Sequence, residues 1–253
     1  MTGIYFSGTG NTRHCVERFV QCFDAKNQAF SIENPEIARL LQPEEIIVFG
    51  HPTHFSNAPK MVRDFIANHK DLFRGKRVFI IATMGLFSGD GAGCSARIFR
   101  TIGAQVIGAL HLKMPDCIGD KKMLLKPLEE NKRLVREADE KICTAAERLK
   151  QGNPTQDGLS MFHHIAGLFG QRLWFYGKTR SYQNAPKIDH EKCTACGVCV
   201  PLCPMKNLKI ANGTITHRKR CTMCYRCLSH CPTQAITILG KEVYEQCRAE
   251  RYV

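Results

Sequence analysis

The chain has 253 residues, of which 43% are hydrophobic, and a formal net charge of +13. It is long enough for one large domain or for a medium and a small one. No run reaches the roughly 20 apolar residues of a membrane span, and no N-terminal secretion signal is recognisable, so we expect a cytoplasmic protein. Fourteen cysteines then indicate metal binding rather than a disulfide framework, because the cytoplasm keeps thiols reduced.

Residues 1–150 alternate short apolar runs with helical patterns. "GIYFS" near the start, "EEIIVFG", "KRVFIIATMG" and "AQVIGALHL" are strand candidates, and the near-continuous apolar runs are typical of strands buried on both faces of a parallel sheet. "RHCVERFVQCF" and the long charged segment "LEENKRLVREADEKICTAAERLKQG" have helical spacing. The pattern predicts an α/β domain with a doubly wound sheet of about five parallel strands.

A glycine-rich loop, "SGTGNT", follows the first strand directly and leads into the first helix. Its hydroxyls, its amide, its two glycines and a helix N-terminus together predict a phosphate site. The alternative is an ordinary turn with a helix cap. The residues of this candidate site are Ser7, Gly8, Thr9, Gly10, Asn11 and Thr12.

The loop lacks the lysine of a Walker motif and the spacing of a dinucleotide fingerprint, and it resembles the FMN-phosphate loop of flavodoxins. The resemblance covers residues 1–150 and implies a flavodoxin-like fold that binds FMN, with the flavin ring between the loops 51–59 and 84–93. These loops offer His54, Phe55 and Phe87 where flavodoxins place Trp or Tyr. The ring-binding residues that the resemblance implies are Pro52, Thr53, His54, Phe55, Met84, Gly85, Leu86, Phe87, Gly89, Asp90 and Gly91. The segment "KMPDCIGD", residues 113–120, is expected to cover the same site.

Residues 151–186 form a bridge rich in Pro, Gly, aromatic and basic residues. A helical face of Phe162, Ile165, Ala166, Phe169, Leu173 and Tyr176 predicts a helix that docks the two domains, with Trp174 packed in the contact. Attachment to a membrane surface and binding of a partner are the alternatives.

Two cysteine runs follow, "CTACGVCVPLCP" from Cys193 and "CTMCYRCLSHCP" from Cys221, offset by 28 residues. Zinc sites usually consist of separated C-x-x-C pairs or Cys/His mixtures, whereas these runs match the bacterial 4Fe-4S pattern, in which the fourth cysteine binds the other cluster. We expect a helix started by Pro204 to carry Cys203 away from its own run. The predicted ligands are Cys193, Cys196, Cys199 and Cys231 for cluster one, and Cys221, Cys224, Cys227 and Cys203 for cluster two.

The segment 187–240, which includes "CPTQAI", resembles two-cluster bacterial ferredoxins, a small α+β fold. Residues 241–253 form a charged tail without a functional interpretation. Of the remaining cysteines, Cys15, Cys22 and Cys143 are expected to be unbonded residues of helices, and Cys117 a spectator near the flavin; no role is assigned to Cys94 and Cys247.

The whole chain resembles fused flavodoxin–ferredoxin proteins of anaerobic bacteria and archaea. The main hypothesis is an electron-transfer protein that relays low-potential electrons between two 4Fe-4S clusters, FMN and an external redox partner. The alternatives are a flavin-dependent reductase of a small substrate, with His51, His54 and Asp90 as candidate proton donors, and a redox-sensing or structural protein that binds a partner.

The charge of the chain bears on its partners. With two clusters and a bound phosphate the net charge falls to about +7, which favours a redox partner with an acidic surface. A small-molecule acceptor and weak contact with a membrane surface remain open. Nucleic acid is not expected, because no basic stripe is interleaved with aromatic residues.

Overall fold

The N-terminal half of the molecule is built around a sheet of five parallel strands. The computed structural model describes residues 1–87, 89–169, 173 and 182–253. The strand order is β2-β1-β3-β4-β5, which is the flavodoxin-like order and confirms the predicted fold class. The strands are β1 Thr2–Tyr5, β2 Ala29–Ser31, β3 Ile46–Pro52, β4 Arg77–Met84 and β5 Gln105–Lys113.

Helices cover both faces of this sheet because side chains of the central strands alternate between two apolar cores. Ile47 and Phe49 point to one core, and Val48 lies in the other. The second core contains residues of α1 and α6, which contact each other, and the first contains residues of α3, α4 and α5. The helices are α1 Asn11–Phe23, α2 Ile37–Leu41, α3 Lys60–Asn68, α4 Lys70–Phe73, α5 Gly91–Thr101 and α6 Leu128–Lys150.

One prediction about the cysteines of this domain is wrong. Cys22 of α1 and Cys143 of α6, expected as unbonded thiols, form a disulfide with an S–S distance of 2.08 Å. The two helices pack side by side on the sheet, which brings together cysteines that are 121 residues apart. No sequence spacing indicates such a pairing.

The bridge contains helix α7, Met161–Gly167. The described side chains of its predicted docking face do not dock the domains, since Phe162, Ile165, Phe169 and Leu173 are each about half exposed or more. The helix is held by its other side, where His164 Nδ1 lies 2.9 Å from the buried carboxylate of Asp90. Trp174 and Tyr176, and the side chain of Ala166, lie outside the described residues. None of the described helices is long and apolar enough to cross a membrane.

The C-terminal domain is small and pairs its strands antiparallel, as expected for the α+β fold. β6 Lys187–Ile188 pairs with β9 Ile236–Thr237, and β7 Leu208–Ala211 pairs with β8 Thr214–His217. Two short helices complete it, α8 Cys199–Leu202 and α9 Arg226–Ser229. The expected helix after Pro204 is not formed; a turn stands there, and the helical residues precede Cys203.

The internal repeat of the cysteine runs is repeated in the backbone. Left-handed conformations occur at Ala195 and Met223, at Gly197 and Tyr225, and at Lys206 and Gln234. Each of these pairs has the same offset of 28 residues as the cysteines. The two runs therefore fold as copies of one loop.

The C-terminal tail returns to the first domain and packs there. The amide of Ala249 donates to the carbonyl of Thr9 at 2.8 Å, and Tyr252 is buried in the core between α1, α6 and the sheet. The amide of Tyr244 donates to the carbonyl of Gly119 at 2.9 Å. The tail thus covers the back of the glycine-rich loop.

Candidate cofactor sites

The glycine-rich loop presents an uncapped helix N-terminus. Gly10 precedes α1 with a φ of 100°, a left-handed conformation that glycine adopts without a steric penalty, and its amide donates to Ser7 Oγ at 3.1 Å. Within the described chain, α1 carries neither an acidic residue in its first turn nor a side-chain cap. The positive end of the helix is therefore available to an anion such as a phosphate.

A cavity of about 210 Å³ extends from this loop across the carboxyl edge of the sheet. It is smaller than the 300 Å³ or so of a typical closed ligand pocket, and Leu86 and Phe87 at its wall are 64% and 51% exposed, so it is open on that side. Of the predicted flavin-site residues, these line it: Ser7, Gly8, Thr9, Asn11, Thr12, Pro52, Thr53, His54, Phe55, Met84, Gly85, Leu86 and Phe87. The loop after β5 contributes Met114 to Ile118, as expected of a covering segment.

The polar groups of the cavity fit a ligand with a phosphate and a polar ring. Thr53 Oγ1 and Asn11 Oδ1 are buried and have no hydrogen-bond partner among the described residues. Buried polar atoms are rarely left unpaired in native proteins. The Asn11 amide is fixed by donating from Nδ2 to the carbonyl of Pro115 at 2.7 Å, and the hydroxyls of Thr12 and Thr83 lie 2.8 Å apart.

Several predicted residues do not reach the cavity. Gly10, Gly89, Asp90 and Gly91 are absent from its lining, as is His51. Asp90 is fully buried and pairs with Arg97 at 2.7 Å and with His164, because it lies at the start of α5, behind the loop. Two of the three candidate proton donors, His51 and Asp90, are thus placed in the protein interior.

Other titratable groups do line the cavity, among them His54, Asp116 and Cys117. Burial lowers the pKa of His54 to about 4, with the charge of His51 adding to the effect, so the imidazole is neutral above that pH. Burial raises the pKa of Asp116, which favours its protonated, hydrogen-donating form. Cys117, also in the wall, has a pKa raised well above its usual value by burial, which keeps it a poorly nucleophilic thiol.

The eight cysteines of the repeats collect around two further cavities. One is lined by Cys193, Cys196, Cys199 and Cys231, the set predicted for cluster one. The other is lined by Cys203, Cys221, Cys224 and Cys227, the set predicted for cluster two. The fourth cysteine of each run therefore lies with the other run, in the crossed arrangement that the spacing indicates.

The surroundings of these thiols fit iron–sulfur clusters. Backbone amides of Asn207, Met223 and Ala235 each donate to a cysteine sulfur at 3.3 Å, and such bonds help to set cluster potentials. Burial raises the pKa of Cys199 to about 11 and that of Cys221 to about 12, so ligation must displace protons from these thiols. No three His, Cys, Asp or Glu side chains in the described ranges converge on a single metal ion.

The residues through which the two domains share a wall were not predicted from the sequence. Met223, Cys224 and Tyr225 from the second cysteine run line the flavin-site cavity. A Cβ on Gly8 would lie 2.0 Å from the carbonyl oxygen of Cys224, so the loop backbone approaches that cysteine very closely. The sequence signals a special position for Tyr225 only through the repeat, since Tyr225 aligns with Gly197 of the first run and both residues are left-handed.

Comparisons with known proteins agree with both parts of the chain. A family model described as a flavodoxin domain matches residues 4–107, and one described as a 4Fe-4S dicluster domain matches residues 185–232. A search of curated proteins found no match.

The solved structures found as similar include several flavodoxins. One from the domain Archaea is 18% identical, with 59% of this chain and 99% of that chain covered and a TM-score of 0.42. The two-electron reduced flavodoxin of Megasphaera elsdenii is 22% identical, with coverages of 57% and 100% and a TM-score of 0.41. The flavodoxin of Fusobacterium nucleatum bound to flavin mononucleotide is 18% identical, with coverages of 59% and 96% and a TM-score of 0.41.

Flavodoxin domains bind FMN, and 4Fe-4S dicluster domains hold two 4Fe-4S clusters; both are electron-transfer modules. The chain thus carries a flavodoxin domain, which implies FMN, and a 4Fe-4S dicluster domain, which implies two 4Fe-4S clusters. Together these domains support an electron-transfer flavo-iron-sulfur protein.

Proposed function

We propose that the chain relays low-potential electrons between its two cluster sites, its flavin site and an external redox protein. The observation that carries the proposal is the position of Cys224, which lines both the cluster-two cavity and the flavin-site cavity. When bound, FMN exchanges one or two electrons and each cluster exchanges one, so the fusion can pair or split electrons.

The residues between the cluster-two site and the flavin site keep the electron-transfer path short and shielded from solvent. Gly8 permits contact between the phosphate loop and the backbone of Cys224. Tyr225 is 1% exposed, and burial, with the charge of Asp120 adding to it, holds the pKa of its phenol far above the usual value. Tyr225 therefore stays neutral and fills the space at this boundary.

FMN is expected to be held by the loop residues 7–12 through its phosphate and by the segments 52–55 and 84–87 beside its ring. The basic charge of the chain supports a partner with an acidic surface. Neither statement depends on the direction of electron flow.

The relay is tested with the protein reconstituted under anaerobic conditions, which should contain about eight irons and one FMN per chain. The measurement is the rate of flavin bleaching after a pulse of photochemically generated reductant. Cys221→Ala removes a cluster-two ligand that does not line the flavin cavity, and it should strongly slow bleaching while flavin content stays at one per chain.

Cys196→Ala is the matched control, because it removes a cluster-one ligand from an exposed loop and should leave cluster two and its exchange with flavin in place. Equal bleaching rates in wild type and Cys221→Ala would contradict the relay.

A second candidate function, reduction of a small substrate over the flavin, is favoured by two groups in the cavity wall. Both line it: burial favours the protonated form of Asp116, which could deliver a proton, and the neutral imidazole of His54 could hydrogen-bond the substrate. Turnover of a small oxidant that is lost in His54→Ala or Asp116→Asn, while flavin bleaching persists, would support the reductase. Unchanged turnover in both variants would count against it.

A further inference from the structure

A second, larger cavity lies on the other side of the His54–Phe55 segment. This cleft has a volume of about 590 Å³, within the roughly 300–1,000 Å³ of small-molecule sites. One wall is the start of α3 and the loop before it, and the other is the segment that leads to Cys221. The cleft is therefore formed only when both domains are in place.

The charge of the cleft is one-sided. Four basic residues line it, Lys60, Arg63, Lys219 and Arg220, and none of the described lining residues is a carboxylate. Lys60 pairs with Asp64. The side chains of Arg63, Lys219 and Arg220 form no ion pair in the part of the chain that the structure describes, so their charge is available to a ligand.

The remaining lining residues supply an apolar surface. Phe55, Ala58, Pro59, Met205 and Met223 line the cleft together with the polar residues Asn57, Gln183 and Thr222. A ligand that matches this surface carries a negative group and an apolar body. Methionine side chains adapt to ligands of varied shape.

The cleft adjoins both cofactor sites. His54, Phe55 and Met223 line the cleft and the flavin-site cavity alike, and Cys221, a predicted cluster-two ligand, lies in the cleft wall. A bound molecule would be separated from the flavin site by a single layer of side chains.

We propose that this cleft is a binding site for a small organic anion, a carboxylate or phosphate monoester with an apolar body. The guanidinium of Arg63 and the charges of Lys219 and Arg220 recognise the anionic group, since charge-assisted hydrogen bonds to such groups are short and strong. The inference concerns binding alone, so it can fail while the proposed relay holds, and the converse is equally possible.

The test is isothermal titration calorimetry of the holoprotein under anaerobic conditions. The probes are 4-phenylbutyrate, phenyl phosphate and the neutral 4-phenylbutyramide. We expect one or both anions to bind, the amide to bind at least about tenfold more weakly, and Arg63→Gln/Lys219→Gln to weaken the anion about tenfold or more. The matched control is Arg18→Gln/Lys26→Gln, which changes an exposed arginine and lysine of the α1 region and should leave the affinity unchanged.

Position is read from ligand-observed NMR on the same samples. Reduced cluster two is paramagnetic and should broaden the resonances of a probe held beside Cys221, and this broadening should disappear in Arg63→Gln/Lys219→Gln. The proposal is overturned if neither anion binds, if the control variant weakens binding equally, or if the substitutions shift only the cluster potential. That last result would mean that these cations merely balance the charge of the cluster.

Discussion

At the scale of single residues, histidines buried near the carboxyl edge of the sheet couple the stability of the flavodoxin domain to pH. His51 is fully buried, with Nε2 at 2.9 Å from Ser95 Oγ and Nδ1 at 3.1 Å from the carbonyl oxygen of Pro52. Burial lowers its pKa to about 4. The folded protein thus keeps this ring neutral at pH values at which an unfolded chain would protonate it.

We predict that the domain loses stability as pH falls from about 6.5 to about 4. In that range the unfolded state binds a proton at residue 51 that the folded state does not, so the free energy of unfolding decreases by up to about 3 kcal/mol. Above about pH 6.5 this contribution is complete. Denaturant unfolding across this range measures how the free energy of unfolding changes with pH, and the slope gives the number of protons taken up on unfolding. His51→Gln, which keeps a polar group beside Ser95, should reduce that number by one. An unchanged slope in the variant would show that residue 51 does not titrate in this way.

At the scale of elements, the loop between β1 and α1 performs two tasks with adjacent residues. Near its start, Gly8 closely approaches the second domain. At its end, Asn11 and Thr12 begin helix α1 and line the cavity. The tail fixes the loop from behind, through Ala249 and Thr9. A substitution that shifts either the second domain or the C-terminal tail should therefore also shift the predicted phosphate site.

Gly8→Ala is predicted to lower FMN retention and to destabilise the holoprotein by about 1–3 kcal/mol. The added Cβ would lie 2.0 Å from the Cys224 carbonyl oxygen, so either the loop or the second domain must shift. The checks are flavin content after gel filtration and the midpoint of thermal unfolding. Gly213→Ala is the control, because its hairpin position has a φ of 69° but open space; it should cost about 1 kcal/mol and leave flavin content unchanged. Full FMN retention in Gly8→Ala would refute the tight contact.

At the scale of the whole molecule, three of the contacts among the described residues link the two domains through well-defined hydrogen bonds. Arg226 donates to both carboxylate oxygens of Glu33, at 3.0 and 2.7 Å, and to the carbonyl of Ser7 at 2.8 Å. Asp120 accepts bonds at Oδ2 from the amides of Ile238, Leu239 and Gly240. The tail supplies the third contact. Together they position Cys224 against the phosphate loop.

The Arg226–Glu33 pair should show a coupling free energy of about 1 kcal/mol in a double-mutant cycle of Arg226→Gln and Glu33→Gln. The side chains are 17% and 31% exposed, so solvent screening reduces the value expected of a buried bidentate pair. Denaturant unfolding of the holoprotein measures the coupling, and the flavin bleaching rate in Arg226→Gln should fall if the junction loosens. Strict additivity of the two substitutions would mean that the pair does not stabilise the junction.

The sequence by itself determined the features that depend on local spacing. Near-continuous apolar runs predicted the parallel sheet, "SGTGNT" predicted the phosphate loop, and the cysteine intervals predicted the two crossed sets, because each pattern reports the geometry of neighbouring residues. The pattern of the bridge was misleading: Phe162, Ile165 and Phe169 share a face that remains exposed, since periodicity shows which residues align but not what they contact.

Only the tertiary structure decided which of these features meet. The contact of Gly8 with Cys224, the pairing of Cys22 with Cys143, the burial of His51 and Asp90, and the basic cleft between α3 and Cys221 all join residues far apart in the chain. Such contacts depend on how whole domains pack, and local sequence carries no signal of that packing. The position of the predicted cluster-two cysteines against the flavin-site cavity, on which the proposed relay depends, is therefore a property of the fold.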